Sequence, residues 1–328
     1  MAETPEEEQR RRRRRHLVRG LLMGGAAVGV PALFNALVSN RAKRLTPPTW
    51  GEAKPYRSSA GTVQYRELGE GSPVLLLHSF GPGHSALEWR GAAEALAQHH
   101  RVLVPDLLGW GASEKTSRTY DSELYIALVG DLLENLVGER AVVLAAGMSA
   151  AYAVQVAVDH PERVRALGLL VPLGIEIHGD EPDFKDAMVH RMLRLPVLGT
   201  SALNVYTSRN GIANHLRREV YADADKVDDA LVDQHYGNAH QAGAHAALAA
   251  YLAGYLNHGV RDALGRLDAP VWIGWGRQTV SPPVESADLW LRSLPDADLD
   301  IFENAGLLPH SESPAEVAAK VRQVFERL

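Results

Sequence analysis

The chain has 328 residues, 46% of them hydrophobic and 23% charged, which is ordinary globular usage. That composition excludes a disordered chain, a collagen-like or coiled-coil rod and a multi-span membrane protein; the absence of cysteine excludes a disulfide framework, a thiol nucleophile and a zinc–cysteine site. The net charge of −6 is uneven: residues 1–44 hold ten basic and four acidic residues, which leaves −12 on the rest, and an acidic body is a poor binder of nucleic acid.

The first element in chain order is a basic arm over residues 1–19, with six consecutive arginines from Arg10 to Arg15 and another at Arg19. Residues 20–38 carry no charge and are about long enough to span a hydrocarbon core at roughly 1.5 Å rise per residue. Arg41, Lys43 and Arg44 follow, and the excess of positive charge before the segment predicts a cytoplasmic N-terminus with the body on the extracytoplasmic side of the cytoplasmic membrane. A second reading is a twin-arginine export signal at Arg14-Arg15, with no clean cleavage site before Thr46. A helix packed on the body is the third reading, disfavoured because the segment shows no polar face. Residues 39–55, with Thr46-Pro47-Pro48 and Gly51, read as a linker.

From Tyr56 onward, strand-like and helix-like runs alternate, which predicts a mostly parallel sheet covered by helices. Val74–Leu77, Val102–Val104, Ala141–Leu144, Ala166–Val171 and Val271–Ile273 are short apolar runs suited to strands buried on both faces. Residues 173–262 break the rhythm with amphipathic helical stretches only, as expected of a helical cap over the strand ends.

Five motifs then stand in one order. They are His78-Ser79-Phe80-Gly81 after a buried strand, Asp106-Leu107-Leu108-Gly109-Trp110-Gly111-Ala112-Ser113, His160-Pro161-Glu162-Arg163-Val164, Trp275-Gly276, and Gly306-Leu307-Leu308-Pro309-His310. With these motifs residues 56–328 resemble the α/β-hydrolase family of esterases, epoxide hydrolases and haloperoxidases. The resemblance implies an α/β-hydrolase fold with a helical cap and a serine nucleophile, a histidine base and an orienting carboxylate.

At the positions the family uses, this sequence has Gly147 for the nucleophile, Thr279 for the acid and Leu307 for the base. A rival register takes Gly147-Met148-Ser149-Ala150-Ala151 as the turn and makes Ser149 the nucleophile, with His310 as a shifted base. Loss of a reactive group at three loops predicts a membrane-tethered, catalytically degenerate protein that binds an apolar small molecule or a membrane-protein partner. The alternatives are an active serine hydrolase of ester or epoxide type using Ser149 with His310, and a scaffold that docks another membrane protein through its cap. His78, Ser79 and Phe80 form the oxyanion loop by resemblance, with Ser79 where glycine is usual; the Phe80 and Met148 amides form the donor pair, and Trp110, Met148 and Tyr152 line the cavity. No cofactor motif is present. His235, His240 and His245 recur every five residues, so they fall on different helix faces and predict no metal site.

Overall fold

In the computed structural model, residues 28–45, 50–176, 180 and 182–325 are described. The basic arm, the first eight residues of the apolar segment, Thr46–Pro48 and His178 lie outside them. Eight strands form one sheet: β1 Lys54–Ser58, β2 Gly61–Leu68, β3 Pro73–Leu77, β4 Arg101–Pro105, β5 Ala141–Ala146, β6 Val164–Leu170, β7 Val271–Gly276 and β8 Asp298–Phe302. Their order is β1-β2-β4-β3-β5-β6-β7-β8; the first two pairings are antiparallel and the rest parallel.

The helices are α1 (residues 28–42), α2 Arg90–Leu96, α3 Ser122–Asp131, α4 Ser149–Asp159, α5 Phe184–Leu193, α6 Leu198–Tyr206, α7 Arg209–His215, α8 Asp229–Ala239, α9 Ala244–Leu252, α10 Arg261–Leu264, α11 Ala287–Ser293, α12 Pro309–Glu312 and α13 Pro314–Phe325. The central strands alternate their side chains between two cores, the period of two that a strand imposes. Leu75, Leu77, Val143 and Ala145 enter the core under α3 and α4, and Val74, Leu76, Val142 and Leu144 enter the one under α2 and α13. Burial on both faces is why these strands read as unbroken apolar runs.

From β3 the chain steps outward to β4 and then back across to β5, so β3 and β5, paired Leu77 to Ala145, mark the switch point of the sheet. Ligands of open α/β sheets bind outside the strand ends at such a point. Between β6 and β7 lie α5 to α10, with no strand among the described residues, and they cover that end.

The expected membrane segment is corrected. Among the described residues no helix is long and apolar enough to cross a membrane. The part of residues 20–38 that is described belongs to α1, which runs on through Arg41 and is fastened to the cap by Asn35. The Asn35 amide donates to the Val197 carbonyl (3.0 Å) and its oxygen accepts from Ser201 (3.0 Å) and Asn204 (2.9 Å). Asn35 supplies the polar part of a docking face that a hydropathy reading of the segment overlooks, and Val38 and Ala42 pack its apolar part against the cap. The placement of the body outside the cytoplasmic membrane loses the support of that spanning segment, and the twin-arginine reading at Arg14-Arg15 lies outside the described residues.

Candidate active site

Three loops at the strand ends bring the site together. After β5 the chain turns at Gly147, whose φ of +59° is a left-handed conformation that glycine adopts at little cost, and α4 starts at Ser149. Small buried residues at Ala150, Ala151, Ala153 and Ala157 let α4 lie close to the sheet. Gly147 therefore occupies the strand-to-helix turn and presents no side chain. Thr279 follows β7 and spends its hydroxyl on the Gly276 and Gly306 carbonyls (2.8 and 3.0 Å). Leu307 follows β8, with its amide donating to Val220 of the cap (2.8 Å).

The fallback pair is not assembled. Ser149 is fully buried and donates its hydroxyl to the His78 carbonyl (2.5 Å), so it ties α4 to the loop after β3. His310 is also fully buried, stacked on Trp89 at 3.9 Å, with its Nε2 donating to Glu88 Oε1 (3.2 Å). His78 is a brace: Nδ1 donates to the Ser79 carbonyl (2.6 Å) and Nε2 accepts from the Leu107 amide (2.9 Å). Burial pushes its imidazole below the usual histidine range, which suits this neutral form.

Ser79 sits against the turn. A Cβ added to Gly147 would lie 3.5 Å from the Ser79 Cβ, an ordinary contact. The Ser79 hydroxyl is 2.7 Å from His84 Nδ1 and donates to Glu88 Oε2 at 2.9 Å, and the same nitrogen of His84 is 3.1 Å from that oxygen. Glu88 Oε1 accepts from the Ser79 amide (2.6 Å) and from His310. Ser79, His84 and Glu88 are thus a hydroxyl, an imidazole and a carboxylate in mutual contact, shielded from water. Burial alone would raise the Glu88 pKa; the hydrogen bonds and charges of His310 and His84 outweigh it and hold the carboxyl well below its usual range. His84 Nε2 is buried with no hydrogen-bond partner.

The wall over this cluster is aromatic. Phe80 packs edge-on against Trp110 (5.3 Å), Tyr125 (5.0 Å) and Tyr152 (5.9 Å), with Met148 buried in the same core. The Phe80 and Met148 amides, one residue beyond Ser79 and Gly147, are given to no turn or loop carbonyl and to no side chain among the described residues. From the cap, His235 donates through Nδ1 to the Pro82 carbonyl (2.9 Å), and Asn238 donates to the Gly83 carbonyl (3.1 Å) and to Ser85 (3.2 Å). A cleft of about 890 Å³ opens between α8 and the Asp106 loop, and a void of about 10 Å³ beside His84 and Trp110 shares Gly111 and Asn238 with it.

Among these residues the sequence reading named Ser79 only as an altered oxyanion residue and passed over His84 and Glu88. The available signal was a lone carboxylate between the apolar Leu87 and Trp89.

The sequence profile of the alpha/beta hydrolase family matches residues 74–320. A 2-hydroxy-6-oxo-6-(2'-aminophenyl)hexa-2,4-dienoic acid hydrolase from Metapseudomonas resinovorans is 28% identical over 269 residues, 79% of this chain and 87% of the relative. A 2-hydroxymuconate semialdehyde hydrolase from Pseudomonas sp. strain CF600 is 26% identical over 267 residues, 78% of this chain and 87% of that one. The crystal structure of a serine hydrolase involved in carbazole degradation, the CarC enzyme, superposes with a TM-score of 0.69 at 21% identity, covering 84% of this chain and 99% of the other, which is a likeness of fold. The hydrolase relatives correct the expectation of a catalytically degenerate binding protein. The three substitutions empty only the positions tallied in the sequence, whereas a hydroxyl, an imidazole and a carboxylate stand beside the same turn at Ser79, His84 and Glu88.

Proposed function

Because the chain belongs to the alpha/beta hydrolase family, we propose that it is an active hydrolase of small apolar carbonyl compounds, cleaving an ester or a carbon–carbon bond beside a ketone. The observation that carries this reading is the Ser79, His84 and Glu88 set packed against the Gly147 turn. Acyl transfer requires a nucleophile or activated water, a base that takes its proton and a charge that steadies the base. An imidazole beside a buried, ionised carboxylate meets the last two requirements.

Two further features support it. The Phe80 and Met148 amides are uncommitted, and donors of that kind hold an oxyanion more tightly in a dry site than water does. Phe80, Trp110 and Tyr152 pack edge-on into one buried aromatic cluster beside the turn, an apolar surrounding consistent with the dienoate substrates in the relatives' names. The experiment is turnover by the purified full-length chain on p-nitrophenyl butyrate and on 2-hydroxy-6-oxo-6-phenylhexa-2,4-dienoate. Saturable release above the uncatalysed rate with at least one of them is the expected result. A folded sample that turns over neither contradicts the reading.

A further inference from the structure

We propose that the nucleophile of this hydrolase is Ser79, moved from the strand-to-helix turn after β5 to the loop after the neighbouring strand β3. The inference rests on the hydrolase reading above and adds to it the identity of the attacking atom.

The argument begins with position. β3 and β5 are adjacent and parallel, with Leu77 opposite Ala145, so the residues just past their ends emerge side by side. A side chain at 147 would meet the Ser79 Cβ at 3.5 Å, which puts the Ser79 hydroxyl within about one side chain's reach of the place a nucleophile at the turn would occupy. The vacancy at Gly147 leaves that space to Ser79.

The second observation is what the hydroxyl touches. Ser149, the other serine near the turn, gives its proton to a backbone carbonyl, which is no base. Ser79 is in contact with both His84 Nδ1 and Glu88 Oε2, and its own amide is fixed by Glu88 Oε1, so loop, hydroxyl and carboxylate are held as one piece. His310 completes the shell around Glu88 from the loop after β8, where it supports the carboxylate as a positioning residue. A network built only to hold the loop would need the amide contact and the His310 contact; it would not need a hydroxyl between an imidazole and a carboxylate.

The step balances without a co-reactant other than water. The Ser79 hydroxyl turns its one proton from Glu88 Oε2 to His84 Nδ1, 2.7 Å away; Oγ bonds to the carbonyl carbon as that proton passes to the nitrogen, and Glu88 Oε2 at 3.1 Å stabilises the imidazolium. Negative charge on the former carbonyl oxygen falls to the Phe80 and Met148 amides. The carbon–oxygen bond of the ester then breaks, and the leaving alkoxide takes the proton from His84. Water, deprotonated by the same nitrogen, attacks the acyl group; the bond to Ser79 Oγ breaks, Oγ takes that proton back from His84, and the carboxylic acid is released.

The test uses the full-length chain, a fluorophosphonate probe and peptide mass spectrometry, run beside the butyrate ester assay on wild type, Ser79→Ala and Ser149→Ala. Label on the peptide that holds Ser79, lost with turnover in Ser79→Ala and kept in Ser149→Ala, is the expected result. Turnover that survives in Ser79→Ala overturns the nucleophile and leaves the hydrolase reading standing; a folded wild type with neither turnover nor label overturns both. Ser79→Cys gives an independent readout, because the chain has no cysteine and the new thiol is unique. Activation by His84 predicts alkylation by iodoacetamide that persists well below the pH at which a free thiol reacts, and a thiol inert in the folded protein overturns the assignment.

Discussion

Gly147 combines two facts in one residue: a left-handed backbone and a missing side chain. The turn demands the first and catalysis by the usual route would forbid the second. Gly147→Ser therefore carries a strain of roughly 1–2 kcal/mol, the cost of a side chain in that region, although the space for its Cβ exists. The account predicts a lower midpoint in thermal unfolding and no gain in ester turnover, since Leu307 leaves no base where the usual one stands. A large gain in turnover from this substitution alone would show that the site still works through position 147. At this scale the sequence was partly legible. The three emptied positions could be read from motif spacing alone, because the loops that carry them follow buried strands of recognisable length. Glu88 showed only as a lone carboxylate between apolar residues, because its role depends on His310, which is 222 residues away in the chain and reaches it only across the folded sheet.

Among the elements, α1 and α8 do the joining. The α1 helix leaves Val28, Val30, Leu33 and Leu37 exposed and is fastened to the cap through Asn35. Asn35→Ala removes three hydrogen bonds, each worth about 1 kcal/mol, and is expected to speed amide hydrogen exchange in residues 28–42 by about tenfold or more while leaving the sheet protected. Unchanged exchange in α1 would place its anchorage elsewhere. The composition of that helix hid this behaviour. A run of apolar residues suits a bilayer and a protein surface equally well, and one asparagine in it weighs little in any average. The strands were far more legible, because burial on both faces leaves the apolar run as their only possible composition.

Over the whole molecule, the junction between cap and sheet carries the acid sensitivity. Burial first, and then the neighbouring His84, lower the His235 pKa to about 3, while the Pro82 carbonyl and the charge of Glu88 work the other way and His215 adds to the lowering. Folding therefore disfavours the protonated form, so stability is undiminished above the ordinary value near 6.5 and falls as the pH drops from there toward 3, by up to about 1.4 kcal/mol per pH unit. Glu88 works in the same direction from a lower starting point. Its stabilisation is present above the usual 4.5 and is lost as the pH falls through its depressed folded value. Urea unfolding between pH 8 and 3 should thus weaken in two stages, and His235→Phe should flatten the first and leave the second. A first stage that persists in the variant would assign it to other histidines.

The architecture itself was readable because motif order, strand burial and the helical interval each point to one fold. The reactive groups were harder to read. A site of this kind is recognised by geometry and not by sequence position, and the geometry here joins β3, α2's leading turn and the β8 loop. The most direct measurement of the central claim is ester turnover by Glu88→Gln against wild type, on samples matched for near-ultraviolet circular dichroism. The account predicts a loss of roughly 10²–10⁴-fold, the range by which a positioned acid–base pair contributes. A variant that is folded and as fast as wild type would contradict it.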